Sequence, residues 1–282
     1  MYNLTLKNKA GNLLEFNQVG GAFTVTEITG LSPADATINT STMALVDGAK
    51  FNSSKVNMRV IDIAFVINAE PSKNRIEVYK VLKPKHAVEV AYNGDYRDVF
   101  IEGYVQSVDV DYFAMKQRVT VSILCPSSYF RQAQEMVNEL SAIIGTFHFP
   151  FAITKPVPLS YLDNTASLIL TNDGDVETGL IIELYARGTA SNPKIYNYVT
   201  GEYIGVNFDF VTGDLITIDT RKGSKSIKLL RNGVTSNQFN SIMKGSKWLQ
   251  LEANESVFVG EAERGFANLE ITFKHNNLYE GV

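Results

Sequence analysis

The chain has 282 residues, 45% of them hydrophobic and 20% charged, which is long enough for about two domains with cores of their own and excludes both wholesale disorder and a fibrous repeat. Basic residues number 26 and acidic residues 30, a net charge of −4 that is spread over both halves and excludes a basic nucleic-acid module. The one cysteine, Cys125, excludes an internal disulfide and a cysteine-based zinc site, and the 16 Phe and 13 Tyr, with abundant Val, Ile and Thr, lean toward strand.

At the start, Leu4 and Leu6 alternate with polar residues and Leu13 to Phe16 follows a Gly11-Asn12 turn, which predicts an opening hairpin rather than a secretory leader. Residues 29–54 are rich in Ser, Thr, Ala and Gly, with Leu31, Ile38, Met43, Leu45, Val46 and Phe51 scattered through them at no clean period. A linker and an extended arm that buries these side chains on another subunit compete for this stretch. Ile61, Ile63, Phe65 and Ile67 then alternate as in a half-buried strand. Pro71-Ser72 opens a helix over about 72–83, with Ser72 as its cap and Pro84 as its stop. Two strands flank Asn93-Gly94, a dipeptide suited to a tight hairpin turn, and Gly103 within the second predicts a bulge. Arg118 to Leu124 closes the sheet before Cys125-Pro126.

Residues 131–158 read as a boundary, with a short helix near Phe130 to Val137 followed by an extended, proline-punctuated aromatic segment, Phe147 to Pro158. The longest charge-free apolar stretch, Ser141 to Thr154, falls short of the roughly 20 residues that span a bilayer, so no membrane insertion is expected. After it, Asn172-Asp173-Gly174, Thr200-Gly201, Thr212-Gly213, Lys222-Gly223 and Asn232-Gly233 separate short runs of β formers, the last four turns lying 10 to 12 residues apart. That spacing predicts an antiparallel sandwich.

Chemistry is sparse. His86, His148 and His275 form no i, i+4 pair and no HExxH motif, and the nucleophile elbow, phosphate loop and dinucleotide fingerprint are all missing. Asp109 with Asp111, and Asp173 with Asp175 and Glu177, could offer oxygens to a hard cation but lack the full calcium-loop pattern. Arg221, Lys222, Lys225, Lys228 and Arg231 form an acid-free basic run that could attract phosphates or an acidic partner; as an exposed hairpin it needs no ligand. Trp248 is a candidate for stacking on a sugar, against a role in the sandwich core. No catalytic residue, metal or cofactor is expected.

The stretch Arg59 to Phe130 resembles the N-terminal domain of distal tail proteins of long-tailed, non-contractile phages. The likeness rests on the Arg-Ile alternation of its first strand, on Ile101, Gly103, Tyr104 and Val105, and on a Cys-Pro ending followed by Tyr-Phe. It continues in Phe147 to Phe151, Asn172 to Leu184 and Thr212 to Ile227, with one departure at Glu252-Ala253-Asn254, where a Pro-Gly turn is usual. The resemblance implies a mainly β chain: a tail-tube-like β-sandwich or barrel with one helix over 1–130, an extended arm over about 29–54, a connecting segment over 131–158 and a galectin-like β-sandwich over 159–282. It also implies a non-enzymatic hub, made in the host cytoplasm and placed at the distal end of the virion tail. Six copies would form a ring, or two stacked rings, between the tail tube protein and the tail-associated protein. Arms would clasp neighbours, the second domain would hold receptor-binding or baseplate proteins, and DNA would cross a central channel without sequence readout. A carbohydrate-binding module that aids host adhesion is the alternative.

Overall fold

The structure is a computed structural model that describes residues 3–16, 21–45, 47–114, 116–140, 143–145, 160–162 and 166–282. Val46 and the aromatic segment 147–158 lie outside the described residues. The chain divides into two compact units, one comprising Met1–Ala133 with Leu278–Val282 and the other Gln134–Asn277.

Unit 1 begins with β1 (Asn3–Asn8), β2 (Leu13–Phe16), β3 (Phe23–Thr29), β4 (Ala36–Ser41), β5 (Lys50–Val56) and β6 (Arg59–Ile67). The helix α1 (Pro71–Val81) leads to β7 (Ala87–Asn93), β8 (Asp98–Val110), β9 (Arg118–Cys125) and β10 (Phe130–Gln132). Apart from β4 and β5, which pair only with each other, these strands form an open sheet in the order β2-β1-β7-β8-β9-β6-β3, with β10 added against β8. The sheet path does not close into a barrel. Alternation sends Leu4, Leu6, Ile61, Ile63, Phe65, Val88, Val90, Val119, Val121 and Ile123 to one core, where Phe16, Phe23 and Phe65 meet ring against ring at 4.8 to 5.9 Å. Helix α1 seals that core with Val78 and Val81.

Three local expectations for this unit are corrected. The helix starts one residue early, at Pro71, behind a left-handed Glu70 and without a side-chain cap, because proline at the first helical position needs no donor partner. The β7–β8 loop spans four residues, closed by the Gly94 N–H on the Arg97 carbonyl at 3.0 Å. Gly103 is not a bulge, since the register slips later, between Val105 and Ser107. It is small because a Cβ there would lie 2.5 Å from Ile123 and 2.7 Å from the Cys125 sulfur.

Unit 2 contains β11 (Met136–Leu140), β12 (Ile143–Gly145), β13 (Ser160–Leu162), β14 (Ala166–Asn172), β15 (Thr178–Gly179), β16 (Ile181–Ala186), β17 (Ala190–Asn197) and β18 (Tyr203–Gly205). It continues with β19 (Asp209–Phe210), β20 (Leu215–Asp219), β21 (Ser226–Arg231), β22 (Val234–Asn237), β23 (Gln250–Leu251), β24 (Asn254–Arg264) and β25 (Leu269–His275). A six-stranded sheet, β11-β25-β16-β20-β21-β22, and a second sheet, β14-β24-β17-β18 with β19 beside β17, share one core that includes Ile182, Leu184, Ile195, Ile216, Ile218, Phe258 and Phe273. The turn glycines Gly201, Gly213, Gly223 and Gly233 all have positive φ, as a run of tight antiparallel turns requires.

The final strand, β26 (Leu278–Tyr279), pairs with β10 in unit 1. Unit 2 is therefore an insertion, where the sequence suggested a connecting segment over 131–158 and a second domain running to 282. The helix expected near Phe130 to Val137 is instead β10 and β11, because β8, β26 and β25 offer backbone partners on either side of it, and tertiary pairing overrides local propensity.

Candidate assembly interface

Strands β4 and β5 give the presumed arm a definite shape, a two-stranded antiparallel hairpin. Cross-strand partners project to the same side, so the register Ala36–Val56, Ile38–Ser54 and Thr40–Phe51 gathers Ala36, Ile38, Phe51 and Val56 on one face. The opposite face is polar and internally bonded, Asn39 Nδ2 donating to Ser53 Oγ at 3.0 Å and Ser41 Oγ to Asn52 Oδ1 at 3.3 Å. Phe51 reaches the apolar face only because the register slips at Asn52. With strict alternation, Phe51 and Val56 would point to opposite sides. Ile38 is 63% exposed and Phe51 60%, and Met43 and Leu45 in the hairpin loop are exposed as well.

The root of the hairpin is fixed. Gly30 has φ +84°, and a Cβ there would lie 2.1 Å from the Val60 carbonyl oxygen. Arg59, 2% exposed, donates to the backbone carbonyls of Gly30, Ser32, Ser128 and Glu280 and lies 4.4 Å over the Phe130 ring. Burial pulls its guanidinium below the ordinary arginine value. Ser128 Oγ donates to the Asn57 carbonyl at 2.7 Å. The C-terminal segment joins the same knot: Val282 N–H donates to the Leu31 carbonyl at 3.2 Å, and Arg97 donates to the Gly281 carbonyl at 2.6 Å. The structure thus separates the expected arm residues. Leu31 packs against the unit 1 core, whereas Ile38, Met43, Leu45 and Phe51 project away from it. Val56 was missed in the sequence because its partner Ala36 is remote in the chain, and Arg59 because nothing local marks the carbonyls it collects.

The basic run is largely neutralised where it stands. Arg221 makes a two-point contact with Asp219 at 3.0 and 2.7 Å, Lys222 meets Glu177 at 2.6 Å, and Arg231 grips the buried Asp214 through Nε and Nη2. That grip holds the Asp214 carboxyl below its ordinary value. Lys225 lies 5.6 Å over the Trp248 ring, and Lys228 is exposed on β21. Trp248 packs against the unit 2 core and stacks on Phe239 at 5.7 Å. Cys125 is buried, and burial pushes its thiol up to about 11, which leaves it a neutral core side chain. His275 is buried too, with its pKa drawn down by desolvation. Among the described residues no group of three or more His, Cys, Asp or Glu could hold a metal ion, and no helix is long and apolar enough to cross a membrane.

Comparisons with known proteins agree with this architecture unit by unit. Residues 16–125 match a phage tail protein RIFT-related domain, and residues 173–276 match the C-terminal domain of a siphovirus-type tail component. No curated protein matches by sequence. Among solved structures, the Dit protein of phage SPP1, described as a paradigm of the hub adsorption apparatus in phages infecting Gram-positive hosts, superposes with a TM-score of 0.69 at 13% identity over 98% of both chains. A chain of the phage P2 baseplate in its activated conformation with Ca matches with a TM-score of 0.56 at 10% identity over 100% of both chains. These likenesses are of fold. The two matched domains, which between them cover most of the chain, place it in the siphovirus-type tail component family, as a distal tail protein and structural part of the phage tail.

Proposed function

We propose that six copies of this chain form a ring at the distal end of the virion tail, singly or as two stacked rings, with the hairpin of each copy clasping its neighbour. The observation that supports this reading is the apolar face of the hairpin. It is held out from the unit 1 core on a hydrogen-bonded root, and Ile38, Met43, Leu45 and Phe51 remain more than half exposed. Burying Ile38, Phe51, Met43 and Leu45 on a neighbour would contribute on the order of 1.5–3 kcal/mol each, before the losses of association. The contact joins one surface to a different surface on the next copy, and such head-to-tail contacts close into rings when the rotation allows. In this reading unit 1 builds the ring between the tail tube protein and the tail-associated protein, and DNA passes through its channel without specific contacts. Unit 2 carries receptor-binding or baseplate proteins. The role is structural, without catalysis, after synthesis in the host cytoplasm.

Light scattering over a concentration series tests the ring. A hexamer has six times the 31.2 kDa chain mass, about 187 kDa. A monomer at every concentration, with and without the tail tube protein, would overturn the reading.

A further inference from the structure

One end of the unit 2 sandwich is closed by a polar side chain in a row of apolar ones. On β25, Leu269, Ile271, Phe273 and His275 alternate toward the core, and His275, 3% exposed, is the last of the row. Its Nε2 lies 3.3 Å from the carbonyl of Thr171 on β14, so one imidazole ties the six-stranded sheet to the second sheet. A carbonyl only accepts, which makes the neutral ring the Nε2–H tautomer and leaves Nδ1 bare. Nδ1 is buried and has no hydrogen-bond partner among the described residues. We infer that His275 is an acid-released latch: neutral, it holds β25 against β14; protonated, it leaves the core and frees the ends of β11 and β25.

The incoming proton goes to Nδ1, where it creates a buried N–H and a buried charge with nothing to receive them. Outside the core the charged ring is better placed. Asp173, in the turn after β14, and Glu135, just before β11, are both exposed and attract the ring when it is charged. The charges nearest in the two strands it joins lie on outer faces: Lys274 on β25 pairs with Glu183 on β16 at 2.8 Å, and Glu255 on β24 stands opposite the exposed Thr171. While the ring is inside, desolvation outweighs the two carboxylates and draws its pKa below the ordinary 6.5. The folded state therefore binds the proton less readily than the unfolded one. Stability is complete above the unfolded value and falls as pH drops below it, about tenfold in the folding constant per pH unit until the folded pKa is reached.

The latch sits where the chain enters and leaves unit 2. His275 is the ladder partner of Met136, the first residue of β11, and the unit runs from Gln134 to Asn277. Asn276 ties the same end, its carbonyl accepting from Thr178 Oγ1 at 2.9 Å and its Nδ2 donating to the Gln134 carbonyl at 3.5 Å. Release of His275 thus loosens the two segments that join unit 2 to the rest of the chain and leaves the far side of the sheet, β20 to β22, in place. The inference does not depend on the ring.

Hydrogen exchange of the full chain at about pH 7.5 and 5.5, corrected for the intrinsic pH dependence of exchange, tests the latch. At the lower pH, amides of β11 and β25 should gain exchange while those of β20 and β21 do not. His275→Gln, which cannot take up the proton, should show no gain. The Trp248 fluorescence midpoint in urea should likewise fall between the two pH values in the unmodified chain and hold in the variant. An equal acid effect in both chains, or none in the unmodified one, would overturn the latch. Asp173→Asn with Glu135→Gln keeps His275 and removes the carboxylates that receive it, so the acid transition should move to lower pH; a transition that stays in place counts against the inference.

Discussion

Arg59 does unusual duty for a single residue. A buried cation normally meets a carboxylate, but here backbone carbonyls from three separate segments take that place, and the planar fork of arginine can serve several of them together where lysine cannot. Arg59→Met would leave two or more carbonyls without a donor, at about 1–3 kcal/mol each, so unit 1 should lose roughly 2–6 kcal/mol of stability. The chain has one tryptophan, Trp248, and it lies in unit 2. In a urea titration the variant should therefore unfold earlier by circular dichroism, while the tryptophan fluorescence transition keeps its midpoint. A common shift of both signals would mean that the two units unfold together.

At the level of elements, the bulge in β5 is what makes the hairpin amphipathic. Because Asn52 is the extra residue, deleting it would leave Phe51 on the apolar face; Ile38→Asp with Phe51→Asp is the change that removes that face's apolar character without touching the core. The expected result is loss of the ring, read as native mass, with thermal unfolding of the chain unchanged; a ring that survives both substitutions would assign assembly to other surfaces. The same bulge explains why this stretch showed no period in the sequence. One extra residue breaks the alternation in β5, so apolar positions that share a face read as scattered. By contrast, Ile61, Ile63, Phe65 and Ile67 lie in an uninterrupted strand whose period was plain, and the glycine turns of unit 2 were legible because positive φ selects glycine locally. Helix and strand were confused near Phe130 to Val137 because short runs carry little periodicity and their pairing partners lie far along the chain. The basic run was legible as charge, but Asp214, Asp219 and Glu177, which answer it, were not.

For the molecule as a whole, the insertion of unit 2 matters most. Arg131 pairs with Leu278 across β10 and β26, so the two points where the chain leaves and re-enters unit 1 are neighbours in one ladder. Joining Ala133 directly to Leu278 leaves residues 132 and 133 as a two-residue loop, and Asn-Gly in those places suits such a turn. The shortened chain should fold and still form the ring, as judged by circular dichroism and native mass, because the hairpin and its root both belong to unit 1. Failure to assemble would show that unit 2 contributes to the ring contact.

The knot at the hairpin root also has a consequence in time. Domains emerging from the ribosome fold in order, N-terminal first, yet unit 1 cannot finish in that order. Its last strand is translated only after all of unit 2, and the carbonyl of Glu280 that Arg59 awaits comes later still. Until then the guanidinium lacks one of its acceptors and the hairpin root lacks its fourth tie. A chain broken off within unit 2 would carry every residue of the hairpin without that tie, so fixing of the root reports that translation has passed the end of unit 2.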